Sequence, residues 1–244
     1  MKFEDKVVIV TGASTGIGRS IAVEFGKMGA NVGLIARRID ELEITKEMIE
    51  KAGGKAEIYC ADLSDLFSVN KLIKDIKKKT DKIWVLVNVA GVWHGKDEVY
   101  ADKNLTKFDQ KTILETYMVG LTTPTLLVHG LAGKMPKGSA ILNLSGTFIY
   151  GAKGQVPYYV SKRAIEDLTI ALSEDLASQN INVNCISPSD TSTASLQKYF
   201  PEDAVGGNTP EQVAKLAVSI CQKKTTGKFW KIKFGKIHTE GYHK

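Results

Sequence analysis

Residues 6 to 30 read KVVIVTGASTGIGRSIAVEFGKMGA. The run KVVIV is short, apolar and rich in β-branched residues, the pattern of a strand buried on both faces. GIGRSIAVEFGKMGA has helical spacing and closes on glycine. Gly12, Gly16 and Gly18 fall on the turn between the two and on the first turn of the helix. Glycine is needed there where the backbone must approach a ligand closely. The helix N-terminus then offers free N–H groups and a positive dipole end to a pyrophosphate. The spacing is G-x-x-x-G-x-G, not the G-x-G-x-x-G of the commonest dinucleotide fingerprint.

The same alternation continues along the chain. NVGLIA, AEIYCA, IWVLVNVAG, GSAILNLSG, INVNCISP and KFWKIKF read as further strands. Helical patterns separate them, with a long one at roughly 107 to 133, another from about 156 to 179 and one near 209 to 222. Strands alternating with helices imply an α/β fold. The expectation is a Rossmann-type doubly wound sheet of about seven parallel strands with helices on both faces, in three α/β/α layers. No linker, repeat or low-complexity segment interrupts the 244 residues, so residues 1–244 read as a single domain. A short irregular stretch, a substrate lid at about 190–208, precedes the last helix, and a C-terminal tail covers 236–244.

Bulk composition excludes several classes. Hydrophobic residues make up 43%, enough for a sizeable core, and a quarter are charged. No apolar stretch approaches the ~20 residues of a membrane span, and the charged start MKFEDKVVIVTG is no secretory signal. The formal charge is +6, but the lysines are scattered and no basic run is interleaved with aromatics, so nucleic acid is not an expected partner. Cys60, Cys185 and Cys221 are odd in number and far apart, which fits reduced thiols in the cytoplasm. The four histidines show no metal-ligand spacing, and no metal is expected.

Three motifs then carry a resemblance. TGASTGIG resembles the cofactor loop of the short-chain dehydrogenase/reductase superfamily, NVAG resembles its NNAG, and Ser145 with Tyr158-x-x-x-Lys162 resembles its active site. They occur in order over nearly the whole chain. The resemblance implies an oxidoreductase that transfers a hydride between a nicotinamide and a carbonyl or secondary alcohol. It places Gly12, Ser14, Thr15, Gly16, Ile17 and Gly18 on the cofactor, with Asp62 and Leu63 at the adenine and Asn88, Ala90 and Gly91 lining the central strands. Pro188 and Thr193 would close over the nicotinamide.

Cofactor choice is read at the end of the second strand, GLIARRID. An acid there binds the ribose 2′-OH of NAD, whereas a nearby arginine accommodates the 2′-phosphate of NADP. Ala36 stands where NAD-preferring relatives carry Asp, and Arg37 and Arg38 follow at once. Guanidinium groups bind a phosphate bidentately. NADP(H) is therefore expected in preference to NAD(H).

Carbonyl reduction also needs a proton donor. A tyrosine serves if a lysine cation favours its phenolate. Tyr158 lies four residues before Lys162 and Tyr159 three before it. Both spacings share a helix face with the lysine, so helical geometry does not choose. The family motif selects Tyr158, with Lys162 lowering its pKa and binding the nicotinamide ribose. The resemblance makes Ser145, thirteen residues earlier, the group that hydrogen-bonds the substrate oxygen. Two positions depart from the family pattern. Tyr117 stands in ETYMVGL where the family carries an Asn, and Ser189 follows Pro188 where it carries Gly, a residue with more freedom at positive φ. Both favour an alternative reading, a catalytically impaired NADP-binding sensor or scaffold.

Substrate selection is expected from residues 92 to 104, including Trp93 and His94, from residues 147 to 155, from the lid at about 190–208 with its Leu196, Tyr199 and Phe200, and from the tail. The small-molecule carbonyl or alcohol is otherwise unassigned. Relatives pair their long helix and Tyr-bearing helix across subunits, so a homodimer or homotetramer is expected.

Overall fold

β1 (Val7–Thr11) runs into α1 (Gly16–Lys27), β2 (Asn31–Ala36) into α2 (Ile39–Lys51), and β3 (Lys55–Cys60) into α3 (Leu66–Lys79). In this computed structural model, which describes residues 3–95, 98–148 and 151–240, those units are followed by β4 (Ile83–Asn88), α4 (Gln110–Tyr117), α5 (Thr123–Leu131) and β5 (Ala140–Leu144). Then come α6 (Val156–Asp175), β6 (Asn182–Pro188), α7 (Ala194–Tyr199), α8 (Pro201–Ala204), α9 (Pro210–Cys221), β7 (Lys228–Lys233) and β8 (Lys236–Glu240). The sheet order is β3-β2-β1-β4-β5-β6-β7-β8. β1 to β7 pair in parallel, and β8 returns antiparallel on β7.

Both faces of the sheet are buried, as its strand composition requires. On one side Val8 and Val10 of β1 meet Ile21 and Phe25 of α1, Ile49 of α2 and Val213 of α9. On the other, Ile9 joins Val69, Leu72 and Ile76 of α3 and Leu127 and Leu131 of α5. The chain order reverses between β1 and β4, and a doubly wound sheet opens its ligand crevice at the carboxyl ends of such strands.

Three expectations are corrected. Among the described residues the strand count is eight, with the last antiparallel: the tail opens with a hairpin at Gly235 (φ +71°), and β8 supplies the edge from Lys236 to Glu240. Residues 241–244 of that tail lie outside the described residues. The long helix predicted from 107 to 133 is broken. A π-helical turn, Met118–Thr122, separates α4 from α5. It falls where Pro124 has no N–H for the carbonyl of Gly120, so the regular ladder cannot close. The lid is also not irregular. Thr193 caps α7 by accepting from the Leu196 amide at 3.2 Å, and Pro201 starts α8.

Candidate active site

The glycine loop is shaped by close approach. A Cβ on Gly18 would lie 2.1 Å from the carbonyl oxygen of Gly12, so no other residue fits. Gly12 (φ +67°) passes 3.1 Å from the backbone of Ala90 by the same measure, and Gly16 (φ +55°) passes 3.1 Å from Cγ2 of Thr193. The structure thus brings together Gly12, Gly16, Gly18, Ala90 and Thr193 from three separate segments. Thr15 occupies the N-cap of α1 without a side-chain cap, and the first turn carries no acid. Uncapped amides at a helix N-terminus suit an anion, which is the arrangement a pyrophosphate needs. Ser14 is buried, and Ile17 is half-buried against the α1 side of the core.

Arg19 holds this loop, a role sequence reasoning missed. Its Nε donates to Thr45 Oγ1 at 3.0 Å, and its Nη2 donates to the Ser14 carbonyl and pairs with Glu41 Oε2 at 2.5 Å. Thr45 in turn donates to Ala13 O at 3.0 Å. Only the fold reveals this, because α2 delivers both Glu41 and Thr45 from more than twenty residues away.

Arg37 and Arg38 are exposed beyond β2, and Arg38 Nη2 donates to Thr15 Oγ1 at 3.3 Å. They flank the glycine loop from the side where the adenosine ribose of a dinucleotide would lie. Asp62 stands next to them. Burial works against its carboxylate, but hydrogen bonds from the Ser64 hydroxyl (2.7 Å) and amide (2.9 Å), with the Arg37 charge, hold its pKa below the usual range. The N-cap of α3 is Asp65, which leaves Asp62 at the strand end. Leu63 is buried and accepts from Thr123 Oγ1 at 2.7 Å.

The floor is the end of β4. Thr11 Oγ1 accepts from the amides of Val89 (3.0 Å) and Ala90 (3.2 Å), locking β4 to β1. Asn88 donates to Asn143 Oδ1 at 2.9 Å, while its own buried Oδ1 finds no hydrogen-bond partner among the described residues. Gly91 faces the Tyr158–Lys162 pair: a Cβ there would lie 3.4 Å from Lys162 Nζ and 3.7 Å from Tyr158 Cε2.

Tyr158 and Lys162 sit one turn apart on α6, with Lys162 Nζ 5.7 Å from the Tyr158 ring centroid. Lys162 is 3% exposed and donates to Leu144 O at 2.7 Å. Burial pushes its pKa down to about 8, with Cys185 and then Glu166 acting in the opposite direction. Burial pushes the Tyr158 phenol up to about 12. The lysine was expected to lower that phenol. Here desolvation dominates, and the ammonium points at a carbonyl. Tyr159 faces elsewhere: it packs edge-on against Phe148 at 4.8 Å and lies 5.7 Å from the Arg163 guanidinium.

Ser145 is close by, but its hydroxyl turns inward. It lies 2.6 Å from Glu166 Oε1 and 2.9 Å from the Lys162 carbonyl, in a residue 2% exposed. Tyr117 ends α4, half-buried, at the start of the π-helical turn. That turn approaches α6 closely, since a Cβ on Gly120 would meet Ser161 Cβ at 2.7 Å.

The loop after β6 accommodates serine. Ser189 is not among the described residues with positive φ, so glycine's freedom is not required there. Its amide donates to Ile232 O at 2.9 Å, and its Oγ accepts from the fully buried Asn208. Pro188 ends β6 and accepts from the Thr147 amide at 3.1 Å. Beyond it the lid folds onto the β4 loop. Tyr199 packs against Trp93 (6.1 Å) and His94 (5.5 Å), and Phe200 against Trp93 (6.5 Å). Phe148 adds an aromatic wall 5.9 Å from Tyr158. Residues 149 and 150 of the expected substrate segment lie outside the described residues. Among the described residues no cluster could hold a metal ion, and no helix is long and apolar enough to cross a membrane.

Comparison with known proteins agrees with this arrangement. The family model described as short chain dehydrogenase matches residues 6–204. The chain is 30% identical over 223 residues to a 3beta-hydroxysteroid dehydrogenase of Mediterraneibacter gnavus, covering 88% of this chain and 79% of the relative. It is 30% identical over 206 residues to the 3-oxoacyl-[acyl-carrier-protein] reductase FabG of Thermotoga maritima, covering 84% and 81%. Among solved structures, the landomycin C-6 ketoreductase LanV with bound NADP and rabelomycin superposes with TM-score 0.81 at 28% identity, over 94% of this chain and 95% of that one. A short chain dehydrogenase from Burkholderia cenocepacia in complex with NADP reaches 0.86 over 96% and 99%, at 22% identity, which speaks to the fold.

Proposed function

The chain belongs to the short-chain dehydrogenase family and is an oxidoreductase acting on CH–OH or C=O groups; from that premise we propose that it works with NADP(H) in preference to NAD(H), with Tyr158 as the general acid and base. The observation that carries the proposal is the Tyr158–Lys162 pair packed against Gly91, at the strand ends of the same sheet as the uncapped α1 and two exposed arginines. The residues present fit a dinucleotide. Gly12, Gly16 and Gly18 let the loop pack tightly on itself, Ala90 and Thr193 before the uncapped N-terminus of α1, and Arg37 and Arg38 supply the donors a 2′-phosphate needs.

A bound nicotinamide would supply or accept the hydride. The chain's own residues handle the proton. With its pKa near 12, Tyr158 is a phenol at neutral pH and holds the proton that a carbonyl oxygen takes up as it becomes an alcohol. The phenolate left behind forms beside the charged Lys162, which stabilises it. In the oxidation direction the same phenolate recovers the proton. Trp93, Tyr199, Phe200 and Phe148 line an aromatic approach, which suits a ketone or alcohol carried on an apolar body. The sensor or scaffold alternative is not favoured, since the Tyr158–Lys162 pair is in place and Ser189 fits its loop without left-handed backbone. Leu114 on α4 and Val160 on α6 are exposed apolar residues, which supports pairing of these helices between subunits.

The deciding experiment is NADPH oxidation followed by absorbance against ketones, aldehydes and 3-oxoacyl thioesters, with Tyr158→Phe run alongside. Turnover that the variant abolishes supports the reading. Turnover that survives in Tyr158→Phe overturns the assignment of the acid.

A further inference from the structure

The lid leaves the sheet after β6 and returns at Asn208, and its two stems lie side by side through a parallel bridge between Thr191 and Asn208. The Asn208 amide donates to Asp190 O at 2.8 Å, and the Ser192 amide donates to Asn208 O at 2.8 Å. Gly207 permits this approach, since a Cβ there would lie 2.9 Å from Asp190 O. The Asn208 side chain is fully buried. Its Nδ2 reaches Ser189 Oγ at 3.1 Å and the carbonyls of Asp190 (3.2 Å), Ile232 (3.2 Å) and Ser189 (3.4 Å). Its Oδ1 accepts from the Gly235 amide at 2.9 Å. Ile232 belongs to β7, and Gly235 makes the turn between β7 and β8.

This set of partners needs a carboxamide. Its two N–H protons are shared among four acceptors, while its one oxygen takes an N–H. Aspartate has the same shape but no donor, and it would set a charge against three carbonyl oxygens. Alanine would take from the Gly235 amide its acceptor at a buried point. Beyond the stems, Thr193 lies against Gly16 of the glycine loop, and Tyr199 and Phe200 pack on Trp93. Those contacts are van der Waals and ring contacts that can slide. The hydrogen bonds at the stems are directional.

We propose that Asn208 is a positioning residue of the lid: its carboxamide clasps both stems to the β7–β8 turn, and the clasp sets where Tyr199 and Phe200 stand over the substrate approach. The C-terminal hairpin is thereby the footing of the lid.

This inference rests on reading the lid as the cover of the substrate approach, so one readout is independent of turnover. Lys198 is the only lysine or arginine between residues 190 and 208, and it is exposed on α7. Trypsin cuts there when the lid opens, because proteolysis follows the population of locally opened chain. The full-length protein and its Asn208→Ala, Asn208→Asp and Asn184→Ala variants would be digested with limiting trypsin, and cleavage at Lys198 followed by mass spectrometry. Asn184 is the control. It is equally buried, donates to Thr225 O at 2.6 Å and accepts from the Lys228 amide at 3.2 Å, but it lies toward the start of β6, away from the lid. The same proteins would be assayed with NADPH and phenanthrenequinone as probe ketone.

Both Asn208 variants are expected to speed cleavage at Lys198 by about tenfold or more, the effect of lost buried hydrogen bonds on local opening. They are expected to raise KM for the quinone by about tenfold and to keep kcat within a few-fold of wild type, because Tyr158 and Lys162 stand on α6. Asn184→Ala is expected to change neither. Cleavage at the wild-type rate in folded Asn208 variants overturns the clasp. Equal acceleration in Asn184→Ala overturns it too, since the effect is then a general loss of stability. Faster cleavage with KM unchanged overturns the positioning role. A wild type that reduces no ketone counts against the proposed function alone, since the digestion still decides the clasp. Circular dichroism identifies any variant that does not fold. If neither Asn208 variant folds, hydrogen exchange in the wild type decides: the Ser192, Asn208 and Gly235 amides opening as one unit support the clasp, and Gly235 opening independently of the other two overturns it.

Discussion

Lys162 Nζ lies 5.7 Å from the centre of the Tyr158 ring and donates at 2.7 Å to the carbonyl of Leu144, with Gly91 close against both side chains. The lysine is thus held from the strand side while its charge stays beside the phenol. Tyr159, the neighbour at equally plausible spacing, shares the Phe148 contact but lies against Arg163 rather than Lys162.

This separation sets the first prediction. Tyr158→Phe is expected to reduce kcat by about 10²–10⁴-fold, the usual loss for a positioned general acid. Tyr159→Phe removes only a hydroxyl beside Arg163, and its kcat is expected to stay within a few-fold of wild type. Steady-state kinetics of both variants on one ketone checks the pair, and the reverse pattern would mean that Tyr159 carries the proton.

Lys162 makes stability depend on pH in a definite direction. Its folded pKa, about 8, lies below its ordinary value of 10.5. Between those values the unfolded chain binds more protons than the folded one, so this group makes stability rise with pH across the window. Below about pH 8 it is charged in both states, and the full burial penalty applies. Lys162→Met removes the penalty but also the hydrogen bond to Leu144. The variant is expected to be inactive, yet more stable at neutral pH by about 1–2 kcal/mol. Urea denaturation of both proteins at neutral and at alkaline pH tests this. A wild type that loses more stability than the variant on going alkaline would contradict it.

Cofactor preference should follow the arginines after β2. Arg37→Ala and Arg38→Ala each remove a charged donor from the proposed 2′-phosphate site, and a hydrogen bond to a charged group is worth about 1.5–3 kcal/mol. NADPH affinity is expected to fall by roughly 10- to 100-fold while NADH affinity changes little. Equal losses for the two cofactors would remove the 2′-phosphate assignment.

Trp93 anchors the contact between the β4 loop and the lid through Tyr199 and Phe200. Trp93→Ala is expected to raise KM for an apolar ketone by about tenfold or more, as the loss of a large aromatic contact would. The KM for NADPH should stay unchanged, because the cofactor loop is built from other residues. A parallel rise in both constants would indicate that the whole crevice has collapsed.

Much of this was legible in the chain. The glycine positions, the strand that precedes them and the alternation that follows specify a doubly wound sheet, because each is a local demand: close backbone approach, burial on both faces, helical periodicity. The residues at the ends of β1, β2, β4 and β6 were named through the family resemblance, and the parallel topology brings those carboxyl ends to one edge. Arg19 and Glu166 were not legible. Each is held by partners that other elements supply, Thr45 and Glu41 from α2 in one case, Ser145 just after β5 and Ser187 of β6 in the other.

The sequence alone thus determined the architecture and the glycine loop through short-range spacing, whereas Tyr158 was chosen over Tyr159 by the family motif, since both share a helix face with Lys162. Only the tertiary structure decided where Ser145 points, that the phenol is raised rather than lowered, that serine fits at position 189, and that the tail returns as an eighth strand. Those outcomes depend on burial and on partners distant in the chain, and desolvation and hydrogen-bond competition have no signature in residue order.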